Sequence, residues 1–113
     1  MLRRLRRRSR EQGTGSRRLM TIAEFEAADE KELSGVLLAL WWDARGEWDR
    51  AHEVAQDVAE RDGAWVHAYL HRKEGDLGNA AYWYRQAGRP VERGELRAEW
   101  ERMLAELLER ERA

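Results

Sequence analysis

The sequence predicts an all-α protein made of two stacked helix hairpins and a C-terminal amphipathic helix that caps the stack. Apolar residues recur three and four positions apart through most of the chain, and no alternating pattern typical of strands occurs. Two Gly-acidic pairs, at residues 46–47 and 75–76, separate apolar segments, as expected for short turns between helices. A chain of 113 residues fits a single domain.

The first helix is expected to begin at Thr21. Thr21 and Glu24 form a Ser/Thr-x-x-Glu capping box, in which the hydroxyl accepts from a backbone N–H and the carboxylate reaches back to the cap. We expect helix to continue, with a break near Gly35, to about Arg45. Gly46 then provides the left-handed residue that ends it.

The next two helices are separated by a predicted turn at Asp62-Gly63. From Trp48 the apolar positions keep helical spacing, and this segment is expected to end near Arg61. Asp62 is placed to cap a helix over 64–73, since aspartate side chains accept from the first free N–H groups.

Two more helices complete the prediction. Gly75-Asp76 breaks the chain before a helix over 77–87, and Gly88-Arg89-Pro90 stops that helix. The last segment carries an apolar stripe flanked by Glu and Arg, which predicts an amphipathic helix. The stripe consists of Leu96, Trp100, Met103, Leu104, Leu107 and Leu108. Closure of the open end of the hairpin stack and pairing with a second chain are both compatible with this stripe.

The chain contains an internal repeat with a period of 29 residues. The shift matches Ala39 with Ala68, Gly46 with Gly75, and Ala51 with Ala80. Each unit is therefore a helix, a turn of Gly and an acidic residue, and a second helix with a small residue at the close approach. A hairpin of this kind cannot bury its apolar face alone, so neighbouring units are expected to stack.

The segments RGEWDRAHEVAQ and EGDLGNAAYWYRQA resemble the centre of a tetratricopeptide repeat (TPR). The resemblance covers about residues 33–88, although the period of 29 is shorter than the usual ~34. WVHAYLHRKEGDLGNAAYWYRQAG is also similar to small bacterial proteins of unassigned function, a likeness that implies a fold and no chemistry. The matching residues are Gly46, Trp48 and Ala51 in the first unit and Gly75, Leu77, Ala80, Tyr84 and Ala87 in the second.

The TPR resemblance implies a short groove that binds an extended peptide, and hence a module for protein–protein interaction. Carried over by position, the groove is lined by Val36, Leu40, Asp43, Trp65, Tyr69, Arg72 and Lys73. Two rings beside two cations suit an acidic peptide or one that ends in a free carboxylate. In the alternative interpretation, the two rings belong to the core and the cations are solvated.

The histidines allow a different function. His67, His71 and Glu74 share one face of the predicted helix, and His52 lies in the helix expected to pack against it. Two imidazoles and a carboxylate suit Fe(II) or Zn(II), so a metal-binding protein is one alternative. A catalytic acid–base pair is another, and buried, hydrogen-bonded packing residues are a third.

The N-terminal segment differs in composition from the rest. Residues 1–18 carry eight Arg and one Glu, a local charge of +7. We expect a disordered basic tail over 1–19 and a helical-repeat domain over 20–113, with nucleic acid as a partner only through residues 3–18.

Several classes of protein are disfavoured by composition and motifs. The chain has no cysteine and no long apolar run, so we expect a cytoplasmic protein with no membrane partner, present as a monomer or homodimer. Phosphate-loop, nucleophile-elbow and dinucleotide motifs do not occur in the sequence. We therefore expect no cofactor, and a binding role rather than an enzyme.

Overall fold

The computed structural model describes the backbone of residues 20–112 and the side chains of residues 20–110. Within these residues the protein is all-helical, as predicted, with no strand. No helix in this part of the chain is long and apolar enough to cross a bilayer. The predicted basic tail over 1–19 lies outside the described residues. The elements are α1 (Ile22–Ala27), a 3₁₀ turn (Glu30–Glu32), α2 (Gly35–Ala44), α3 (Trp48–Gln56), α4 (Arg61–Glu74), α5 (Leu77–Ala87) and α6 (Leu96–Arg112).

Helix α1 begins at the predicted capping box. The Thr21 hydroxyl accepts from the Glu24 N–H at 3.0 Å, and the Glu24 carboxylate accepts from the Thr21 N–H at 2.9 Å. The break near Gly35 is confirmed, and the chain also leaves the helix at Ala28. The indole N–H of Trp41 donates to the Ala28 carbonyl at 2.9 Å, so α2 holds the end of α1 in place.

The boundary between α3 and α4 differs from the prediction. Asp62-Gly63 is not a turn, because α4 already begins at Arg61 and Asp62 lies in its first turn. A Cβ atom on residue 63 would overlap the carbonyl oxygen of Val58, in the segment that leads into α4. The glycine therefore permits a close approach between this segment and the helix, and does not mark a helix end.

Both predicted hairpins form around turns that contain a glycine. Gly46 and Gly75 adopt positive φ angles of 77° and 92°, which side chains other than glycine rarely tolerate. The short turns bring α2 against α3 and α4 against α5. Ala51 and Ala80, the small residues matched by the 29-residue shift, are buried in these two contacts.

Helix α6 packs across α2 and α4, the first helices of the two hairpins. Its predicted stripe is confirmed, since Trp100, Met103, Leu104 and Leu107 are all buried. The Trp100 ring also meets Phe25 of α1 edge-on, with centroids 6.1 Å apart. The core thus lies between α6 and the face formed by α2 and α4.

Candidate functional site

The apolar residues predicted to line a groove are part of the core. Val36, Leu40, Trp65 and Tyr69 are all buried, with Leu40 completely inaccessible. Helix α6 lies on the same two helices that carry them. These side chains therefore do not line an open groove, because the amphipathic stripe of α6 gains more apolar burial there than an exposed surface would allow.

The charged residues predicted for the groove are paired within the chain. Asp43 is buried, accepts from the Lys73 ammonium at 2.8 Å, and accepts from the Tyr69 hydroxyl at 3.3 Å. Arg72 donates to the Glu99 carboxylate of α6 at 2.9 Å. Both cations thus form ion pairs within the folded chain. A role in protein binding stays a prediction, with no surface assigned to it.

The three histidines of the chain come together in one cluster. His52 lies on α3, while His67 and His71 lie one turn apart on α4. One ring nitrogen from each lies within 4.8 Å of the other two. The chain has three His in all, so its entire imidazole content is concentrated at this contact between two helices.

Each imidazole ring is held by a different neighbour. The Trp48 indole stacks on His52, with centroids 4.9 Å apart and planes at 12°. The Trp83 indole of α5 stacks on His67, with centroids 4.0 Å apart and planes at 11°. Trp48 is itself fixed, because its N–H donates to the Leu70 carbonyl at 2.8 Å.

Glu74 orients the third imidazole. Its carboxylate lies 2.7 Å from Nδ1 of His71. A carboxylate accepts this bond when Nδ1 carries the hydrogen, and in the neutral form of that ring Nε2 then has a free lone pair. In metal sites, the histidine ring nitrogen that does not bind the metal typically donates its hydrogen to a carboxylate in this way. Glu74 thus orients His71. His71, Glu74 and Asp76 also lie close enough together to form a second group of possible metal ligands.

Burial keeps two of the three rings in the neutral form. Burial, followed by the neighbouring His52 and His71, lowers the pKa of His67 to about 4. The pKa of His52 is also lowered, mainly by burial and then by His71, while Glu74 and Asp49 act against the shift. Neutral imidazole is the form that binds metal ions, so neither ring must give up a proton at neutral pH to become a ligand.

The cluster is close to the geometry of a bound ion. Tetrahedral Zn²⁺ with bonds of about 2.0–2.1 Å places its ligand nitrogens about 3.3 Å from one another. The three nitrogens, within 4.8 Å of one another, need to approach by at most about 1.5 Å to reach that spacing. Two His one helical turn apart are a known metal-binding arrangement, and here a packed helix adds a third.

No protein-family model, curated protein or solved structure matches this chain. The histidine site is therefore inferred from its geometry alone. Sequence reasoning placed His67, His71 and Glu74 on one face and His52 on the facing helix, and the structure brings all four together. It missed the two indoles that hold His52 and His67. Trp48 precedes His52 by four residues on α3, a helical spacing present in the sequence, whereas Trp83 reaches His67 from another helix and leaves no spacing signal.

Proposed function

We propose that this protein binds a divalent transition-metal ion, with Zn²⁺ as the best fit, through His52, His67 and His71. The observation that carries the proposal is the position of three imidazole nitrogens, from two packed helices, within 4.8 Å of one another. Three nitrogen donors suit Zn²⁺ and its neighbours in the first transition row, while Ca²⁺ and Mg²⁺ prefer oxygen ligands.

The hydrogen bonding of the rings favours a ligand role over simple packing. Buried polar groups nearly always have a hydrogen-bond partner in a folded protein. Of the three rings, only that of His71 hydrogen-bonds to a described residue. His67 is only 6% exposed, and its ring nitrogens make no hydrogen bond to a described residue, although they keep some contact with solvent. A bound ion would replace this limited hydration.

Three protein ligands leave one position of a tetrahedral ion open. Closed structural zinc sites use four protein ligands, whereas sites that act on other molecules keep a position for water or substrate. Glu74 is occupied by His71 in this arrangement, so the proposed centre belongs to the second type.

The test is metal titration of the untagged full chain by calorimetry, with Zn²⁺ and Co²⁺ as probes. One ion per chain is expected, and His52→Phe should abolish binding. The phenyl ring keeps an aromatic surface against Trp48 and removes both nitrogens, so circular dichroism and thermal unfolding should show an intact fold. Equal metal binding by wild type and the folded His52→Phe variant, or no binding by wild type, would overturn the proposal.

A further inference from the structure

A cavity of about 300 Å³ lies beside the histidine cluster. His67 and the Trp83 ring that stacks on it both line its wall. The segment between α3 and α4 forms part of its wall, and Gln86 of α5 forms another part. This volume is at the lower end of the range for small-molecule sites. Since the His67 ring belongs both to the cluster and to the cavity wall, a small molecule in the cavity lies against one of the three proposed metal ligands.

We propose that this cavity binds a small monocarboxylate, whose carboxylate oxygen fills the open position of the metal ion. The inference rests on the proposed function, because it needs the ion as one of the two attachment points. It adds the class of ligand, which metal binding alone does not specify.

The charge of the site favours an anion. Three neutral imidazoles leave the full double charge of the ion on the centre, and such a charge dominates its surroundings. Arg61 also lines the cavity and makes no ion pair with a described residue. Glu60 lies in the same wall. Among the described side chains that line the cavity, Glu60 is the one acid, and Arg61 and the bound ion oppose it, so the lining is electropositive. Glu74 and Asp49 add negative charge outside the lining, next to His71 and His52.

The remaining lining sets the size and polarity of the ligand. Ala55, Val58, Ala64 and the half-buried Trp83 present apolar surface, while Gln56 and Gln86 add two amides. Apolar walls with a few polar groups are typical of sites that fix one charged end of a small molecule and bury its hydrocarbon part. A short aliphatic or aromatic monocarboxylate matches this combination of surface, charge and volume.

The experiment uses Co²⁺ bound to the full chain, because the visible spectrum of Co²⁺ reports its coordination. Acetate and benzoate are the probes, titrated at fixed pH into the loaded protein. We expect a saturable spectral change with both, and tighter binding of benzoate because it buries more apolar surface. Arg61→Gln should weaken benzoate binding by about tenfold, since it removes a charge-assisted contact, while Co²⁺ affinity stays close to that of wild type.

Arg85→Gln is the matched control, because Arg85 is an exposed cation of α5 outside the lining of this cavity. It should leave benzoate affinity unchanged. A Co²⁺-loaded protein whose spectrum does not respond to either carboxylate overturns this inference and leaves the metal site standing. Equal losses in Arg61→Gln and Arg85→Gln also overturn it, since they would show a general charge effect. A chain that takes up no Co²⁺ overturns both proposals.

Discussion

Trp83 stacks face to face on His67, with ring centroids 4.0 Å apart and planes 11° from parallel. Trp48 stacks on His52 in the same way, so two of the six Trp of the chain directly contact proposed metal ligands. Cu²⁺ and Co²⁺ quench indole fluorescence strongly at such short range, while Zn²⁺ does not. We expect saturable quenching by Co²⁺ with the stoichiometry of binding, and no comparable loss with Zn²⁺.

Variants at two tryptophans identify which rings report the ion. In Trp83→Phe the quenched part of the fluorescence should fall, because one of the two nearest indoles has been removed. Trp65→Phe is the control, since Trp65 packs under the Arg89 guanidinium and makes no ring contact with the described histidines. Equal quenched fractions in the two variants would contradict the placement of the ion beside Trp83.

Glu99 of α6 makes the free energy of unfolding depend on pH, and the direction of this dependence follows from the burial of its carboxyl. The carboxyl is 1% exposed and accepts from the Tyr84 hydroxyl at 2.6 Å and from Arg72 at 2.9 Å. Burial raises its pKa above 4.5 although both hydrogen bonds act in the opposite direction, and Glu92 adds to the rise. The folded protein therefore holds this proton to higher pH than the unfolded chain does, and the Glu99 contribution to the free energy of unfolding falls as pH rises.

Comparison of wild type with Glu99→Gln isolates this contribution. Glutamine does not titrate, and its amide oxygen accepts from Arg72 while its NH2 group donates to the Tyr84 oxygen, so wild type should lose stability relative to the variant as the pH rises above 4.5. The difference changes by at most about 1.4 kcal/mol for each pH unit between the unfolded and folded pKa values. Urea unfolding at a series of pH values measures it, and Glu53→Gln on the exposed side of α3 should show no such trend. A difference that is constant with pH would contradict the raised pKa.

The ends of helices were predicted best where one local residue decides them. The capping box at Thr21 and the turn at Gly75 involve only neighbouring backbone atoms, so the sequence carries the whole signal. The Asp62-Gly63 prediction was wrong because the role of this glycine depends on Val58, whose carbonyl reaches it only after the connection has folded back. A glycine that permits contact and a glycine that ends a helix look alike in sequence.

The site was predicted in part, for a similar reason. Helical spacing placed His67 and His71 on one face, and the stacking of hairpins implied that His52 faces them. The position of α6 was not accessible from the sequence, because an amphipathic stripe shows that a helix packs and does not show where. The residues predicted to line the groove therefore lie on the face of α2 and α4 that α6 covers.

Two glycines provide a direct test of the connection between α3 and α4. Gly63→Ala should destabilise the protein by about 1–3 kcal/mol, since the new methyl group overlaps Val58 and the surrounding backbone must shift. Gly78→Ala in α5 should stabilise it by about 0.5–1 kcal/mol, because nothing lies within reach of its Cβ and alanine favours helix. Chemical denaturation of both variants measures the two effects. Similar effects of the same sign would show that Gly63 is not at a close contact.

The indole N–H of Trp100 is the one buried side-chain polar atom without a hydrogen-bond partner in the described part of the chain. Trp41 is buried to a comparable extent, yet its N–H donates to the Ala28 carbonyl at 2.9 Å. Replacement by Phe removes similar apolar volume at both positions, so the cavity costs largely cancel in the comparison. The polar costs do not cancel: Trp41→Phe loses a hydrogen bond and leaves a carbonyl unpaired, while Trp100→Phe removes a donor that was already unpaired.

Trp41→Phe should therefore be the more destabilising change, by about 1–2 kcal/mol. Urea unfolding of both variants at one pH measures the difference, and an equal or larger loss in Trp100→Phe would show that the Trp100 N–H has a partner in solution.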